Sequence, residues 1–305
     1  MRTSRASTWS AAMLPRPGKD LEAAAPLSGP VFDLHVLEFG VSAMAHALEM
    51  FGSLNSAVVF AATARACGPF DQSPGRKRPV SINALAASIG RPFETTRRHA
   101  IALVEGGLIA RAPGGLSVTT DAIVEPRLAR FTESCHDLLV GLVEDLGKGG
   151  FVLPPTATDI TYDPRSGVGI ALDLILAAME SHGPREENFT RLALLLAVEW
   201  GHSRRAYAGP DGKSDPMIRT SNAARMLGLP YATTSRNIDA LVARGLLTRS
   251  GAILHPVADA PAIAARAALA NRARQLLGRL ALCGFPMEHP GTAYIRGRMP
   301  PPDLG

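Results

Sequence analysis

The chain has 305 residues, a length that permits two domains each able to bury a core. Hydrophobic residues make up 46% and charged residues 19%, a globular composition; no uninterrupted apolar run approaches the roughly 18 residues that span a bilayer, and the N-terminus lacks the apolar core of a secretory signal. Three cysteines without a CxxC spacing argue against a disulfide framework or a zinc site and for a reducing, cytoplasmic setting, while a net charge of +5 decides little until its distribution is known.

Residues 1–30, rich in Ala, Ser, Pro and Arg, show no sustained period and read as a disordered arm. Leu34, Leu37, Val41, Met44, Leu48 and Phe51 then follow alternating three- and four-residue steps, the seam of a helix packed along a partner helix. A second apolar helix is expected over 54–66. The loop 68–79 holds Arg76, Lys77 and Arg78, either a solvated charge run or a flank that meets phosphates. Asn83–Ile89 reads as a short helix, Arg91-Pro92 as a turn, and Phe93–Glu105 as a second helix stopped by Gly106-Gly107. Leu108–Ala112 and Leu116–Thr119, turned by Gly114-Gly115, predict a small hairpin. After Asp121, a candidate N-cap, Leu128, Phe131, Cys135, Leu138 and Leu142 make another seam.

Residues 148–169, with Gly149-Gly150 and Pro154-Pro155, read as a connection. Helices follow at about 170–181 and 186–205, and then a second short helix, turn and helix. There Thr234, Ile238 and Leu241 keep the period of a buried stripe, Gly245 stops the helix, and Ser250-Gly251 turns a hairpin. A last helix runs to about 282 and carries Cys283 on its stripe; 286–305 is expected to be a flexible tail. Cys135 and Cys283 read as buried thiols, and Cys67, at a helix end, as the one open to reaction.

A shift of 138 residues lays Ser81–Arg111 on Arg219–Arg249 without a gap, with twelve of 31 pairs identical. A period this long is the size of a domain, so the sequence predicts two tandem units, 31–147 and 170–285. Positive charge concentrates on the repeated stretch: 65–111 and 203–249 each hold eight basic and three acidic residues. Phosphate contacts would require charge there. Helical geometry turns Thr96, Ala100, Leu103 and Val104 inward and sets Thr95 and Arg98 outward with Arg97 at the flank; the second copy presents Thr233 and Arg236 with Ser235 at the flank. Arginine can read guanine bidentately and threonine can reach bases or phosphates. Phe93 and Tyr231, at the helix starts, are expected to close the local core, with a sugar or thymine contact as the alternative.

The stretches TTRRHAIALVEGGLIAR and TTSRNIDALVARGLLTR, each within a unit of 138 residues flanked by apolar-striped helices, resemble winged helix-turn-helix regulators of the MarR type. The resemblance covers 31–285 taken as two copies, and both hairpins lack the Asp-x-Arg tip typical of that type. It implies a mainly α fold with small β wings: two tandem winged helix-turn-helix domains joined by long pairing helices, forming a pseudo-dimer within one chain, with a further homodimer open. It further implies double-stranded DNA as partner, a small-molecule effector, and a transcription regulator that represses by occlusion. A replication or partition protein and a protein-binding scaffold are the alternatives. No P-loop, dinucleotide fingerprint, nucleophile elbow or metal spacing occurs, so no enzyme, cofactor, metal or membrane role is expected.

Overall fold

The structure is a computed structural model and describes residues 25–68, 78–118, 126–208 and 218–303. The described residues form a mainly helical protein with two small antiparallel sheets. In chain order these are α1 (Pro30–Phe51), α2 (Leu54–Cys67), α3 (Ile82–Ser88), α4 (Phe93–Glu105), β1 (Ile109–Ala112), β2 (Gly115–Val118) and α5 (Pro126–Lys148). Then come α6 (Pro164–His182), α7 (Phe189–Ala208), α8 (Thr220–Met226), α9 (Tyr231–Ala243), β3 (Leu247–Ser250), β4 (Ile253–Pro256) and α10 (Ala260–Leu282), with a 3-10 turn at Pro290–Ala293. Adding 138 to each bound of α3, α4, β1 and β2 gives the bounds of α8, α9, β3 and β4.

Local chemistry sets these ends. Pro30 opens α1, where its missing N–H costs nothing, and Gly52 closes it in the left-handed conformation, its N–H donating to Leu48 O. Ser81, Asp163 and Asp259 cap α3, α6 and α10 by accepting backbone N–H groups. Because Asp163-Pro164 is a cap followed by a first-turn proline, α6 starts six residues before the expected 170, and the connection is correspondingly shorter. The hairpin turns also move by one residue. Ala112 pairs with Gly115 and Ser250 with Ile253, so the turns are Pro113-Gly114 and Gly251-Ala252. Gly115 is needed at its place because a Cβ there would run into the Val80 carbonyl, whose strand segment bridges to Leu116. Asp121 lies outside the described residues, as do residues 1–24 of the expected arm.

Packing follows a reciprocal pattern. α1 lies along α5, as α6 lies along α10; between the halves, α1 meets α7 and α2 meets α6, while α5 meets α6 and α1 meets α10. α1 is therefore enclosed on more sides than a single seam supplies: Phe32, Val36, Phe39 and Ala43 are buried as well as Leu34, Leu37, Val41 and Met44. It is also the one described helix long and apolar enough in composition to cross a membrane, with a mean hydropathy of 1.2, although it carries Asp33, His35 and Glu38.

Two further features were not expected. Residues 285–303 are not a free tail. Phe285 and Met287 are buried, and the Asp137 carboxylate on α5 accepts backbone N–H groups of Ile295, Arg296 and Gly297 at 2.8–3.0 Å. Tyr294 donates to Glu144, and Arg298 pairs with Glu144 and Asp145. The second feature is an ionic cluster inside the second half. Glu199 of α7, fully buried, accepts from Arg185 at 2.8 Å and Arg266 at 3.2 Å, with His182 at 3.9 Å; Glu186, which follows Arg185 in the chain, meets Arg191 and Arg244. The first-half counterparts of His182, Arg185, Glu199 and Arg266 are Met44, Ala47, Ala61 and Leu128.

Candidate nucleic-acid interface

α4 and α9 are alike in how they are anchored. Thr96 and Thr234 are buried, and each hydroxyl donates to the proline carbonyl four residues earlier, Pro92 and Pro230, at 3.2 Å. Ala100 and Leu103 in α4, and Ile238 and Leu241 in α9, complete the inward stripe. The turns before them use Gly90 and Gly228 at positive φ, which glycine adopts without steric cost, followed by a proline as N-cap. Each helix is thus fixed by one face and free on the other.

On the outward side, Arg98 and Arg236 are exposed, and neither is held by a hydrogen bond or ion pair among the described residues. Thr95 and Thr233 are half-buried beside them, and Ser235 likewise. Arg97 is differently placed: its guanidinium donates to both Glu94 oxygens at 2.7 and 2.8 Å, so the pair is locally neutral. That bond holds Glu94 below the ordinary carboxylate range and raises Arg97. His99 is turned away, its Nδ1 3.0 Å from the Ser56 hydroxyl, and burial followed by Arg98 lowers its pKa. In the second half Arg249 of β3 pairs with Asp239 of α9 at 2.9 Å.

The aromatic pair corrects the expectation of core closure. Phe93 is 46% and Tyr231 61% exposed, because the buried threonine four residues from each proline already fills the inward position and turns the first residue of the helix outward. Arg78 is exposed ahead of α3, its backbone N–H on Cys67 O; Arg76 and Lys77 lie outside the described residues. Cys67 is buried and donates to Leu116 O, which removes it as the open thiol; Cys135 is fully buried, its pKa pushed well up by burial, and Cys283 is only half-buried.

Not all the charge of the two basic stretches faces outward. Arg65 is bound to Glu180 and Arg244 to Glu186, and Arg91 lies over the Phe189 ring at 3.9 Å. Arg91 thereby ties the turn before α4 to the start of α7, a contact between halves that residue type alone did not signal. The ionic cluster around Glu199 was also missed, although the 138-residue shift pairs its charged members with apolar ones. Among the described residues, no group of three or more His, Cys, Asp or Glu side chains could hold a metal ion. The chain matches no protein-family model, no curated protein and no solved structure in the three comparisons made.

Proposed function

We propose that the chain is a sequence-specific double-stranded DNA-binding regulator of transcription, most simply a repressor, whose two halves are winged helix-turn-helix units of the MarR type. The observation that carries this reading is the matched presentation of Arg98 and Arg236. Each is an exposed guanidinium with no hydrogen bond or ion pair among the described residues, on the outer face of a helix whose other face is anchored by the same threonine-to-proline bond. An arginine so placed is the commonest reader of guanine in a major groove, and the threonine one turn earlier supplies a phosphate or base contact. Exposed Phe93 and Tyr231 add an apolar edge suited to a thymine methyl or a sugar. The α3–α4 and α8–α9 pairs act as the helix-turn-helix, and the hairpins β1–β2 and β3–β4 as wings.

The reading separates the basic residues by role. Arg98 and Arg236 read bases, Arg78 meets phosphates, and Arg97, committed to Glu94, contributes least. The test is fluorescence anisotropy of duplex DNA at two salt concentrations with the parent, Arg98→Ala, Arg236→Ala and the double variant. Salt-dependent binding that each single change weakens by about 1–3 kcal/mol is the expected result. A parent that ignores duplex even at low salt, or a double variant that binds like the parent, sinks the proposal and brings a protein-binding scaffold forward.

A further inference from the structure

A cavity of about 480 Å3 lies between α1, α5, the end of α7 and the terminal segment at Arg298–Pro301. Leu34, Phe39, Leu142 and Met299 give it apolar wall, and His35, Glu38, Ser42 and Arg204 give it polar groups. No residue of α3, α4, α8 or α9 lines it, so it is separate from the proposed recognition faces. The size is that of small-molecule sites in general.

The space has a cause in the sequence. The α1–α7 contact is the counterpart of the α6–α2 contact, where Glu180 and Arg65 join across the seam. At the corresponding positions α1 and α7 carry Ser42 and Ser203, two side chains too short to meet in the same way. Glu38 and Arg204, in turn, stand where the other seam has Leu176 and Ala66. One seam is closed by a pair and the other is left open and polar. Ser42 is only 7% exposed, yet its hydroxyl has no hydrogen-bond partner, a state that buried polar atoms rarely keep without a ligand or water to relieve it.

The charges around the cavity say what would relieve it. Arg298 is taken by Glu144 and Asp145, and Arg204 lies over the Trp200 ring and 3.7 Å from Glu38 Oε2. Asp137 has both oxygens on the N–H groups of Ile295–Gly297. Glu38 is different: the Trp200 indole and Arg204 both address Oε2, and burial raises the carboxyl above its ordinary range. Burial, ahead of any neighbouring charge, lowers the His35 pKa. The cavity therefore has engaged cations and a spare acceptor, Glu38 Oε1, with the Ser42 side chain on its wall.

We propose that this cavity binds a small organic cation, an aromatic or alicyclic body bearing one ammonium group. The ammonium donates to Glu38, and the body lies against Ser42, Phe39, Leu142 and Met299. This does not rest on the DNA reading. The test uses the full chain and isothermal titration calorimetry with 2-phenylethylammonium, alongside 2-phenylethanol and 3-phenylpropionate as its neutral and anionic relatives. Saturable binding of the ammonium with Kd on the order of 1 mM or tighter is expected, at least about tenfold tighter than either relative. Glu38→Gln, nearly the same shape, should lose about tenfold in ammonium affinity, and Ser42→Leu, which fills the space, should abolish binding, both with melting curves near the parent's. If Glu38→Gln does not fold, Ser42→Leu decides, since its hydroxyl has no partner to lose. The proposal is overturned by no saturation up to about 20 mM, by tighter binding of the propionate, or by parent-like affinity in a folded variant.

Discussion

Glu199→Ala is the substitution whose cost the structure fixes most closely. Glu199 is fully buried, and its two oxygens serve Arg185, whose side chain is 3% exposed, and Arg266, at 14%. Removing the carboxylate takes from Arg185 its partner at 2.8 Å, leaving Asp259 at 3.9 Å, and takes one partner from Arg266. Breaking a buried pair from one side costs about 3–5 kcal/mol. In urea this is a midpoint lower by about 1–2 M at an unchanged slope. The first half shows an alternative solution, Met44, Ala47, Ala61 and Leu128, at the same four positions. Carrying those residues to positions 182, 185, 199 and 266 together removes the cluster's charges at once, while Ala in place of Arg185 and Glu199 leaves unfilled space that costs part of the gain. The fourfold variant should therefore recover part of what Glu199→Ala loses. Urea unfolding followed by circular dichroism measures both. A single variant within about 1 kcal/mol of the parent, or a fourfold variant less stable than the single one, would refute the reasoning.

Burial, the largest influence, raises Asp33 to about 6 despite Arg266 and Arg274 nearby. The folded state thus holds its proton more tightly than the unfolded one, and the stability this gives is present below about pH 4 and is lost as pH rises through about 6. Asp33→Asn should raise stability at pH 7 by about 1–2 kcal/mol, after discounting for partial exposure, and give no gain near pH 3.5; equal gains at both would contradict the assignment. Asp137→Ala removes the acceptor of three terminal N–H groups, so hydrogen exchange at Ile295–Gly297 should accelerate at least about tenfold while α5 keeps its protection. With iodoacetamide on the native chain, Cys283 should be alkylated first and Cys135 last, read by mass spectrometry against time.

What the sequence made legible is the part written in residue type. Gly90 and Gly228 before proline, Gly107 and Gly245 after the helices, and the inward Thr96 and Thr234 all carry their conformation in their own chemistry. The mainly α class with two small sheets follows from them. The docked terminal segment was illegible for the opposite reason: it is held through backbone N–H groups on Asp137, and every residue but proline has one. Exposure of Phe93 and Tyr231 depended on which residue of the first turn faces inward, and aromatic character pointed the other way. The Arg97–Glu94 pair lay in plain view as an i, i+3 spacing, and reading Arg97 as a DNA contact overlooked it. The cavity beside Ser42 needed both seams compared, and one seam read by itself shows only a serine on an apolar helix.

The reciprocal contacts of α1, α2, α5, α6, α7 and α10 have a consequence for how this protein behaves when scarce. Separate subunits held by such contacts come apart on dilution, and their assembly tracks the number of copies in the cell. Here the partners share one backbone, so each meets the other at an effective concentration set by the connecting residues, on the order of millimolar for a short tether, whatever the expression level. On the function proposed above, a single molecule is a complete pair. It also follows that a base change in the gene alters one half alone, so the two halves can drift apart one substitution at a time, a freedom that identical subunits do not have.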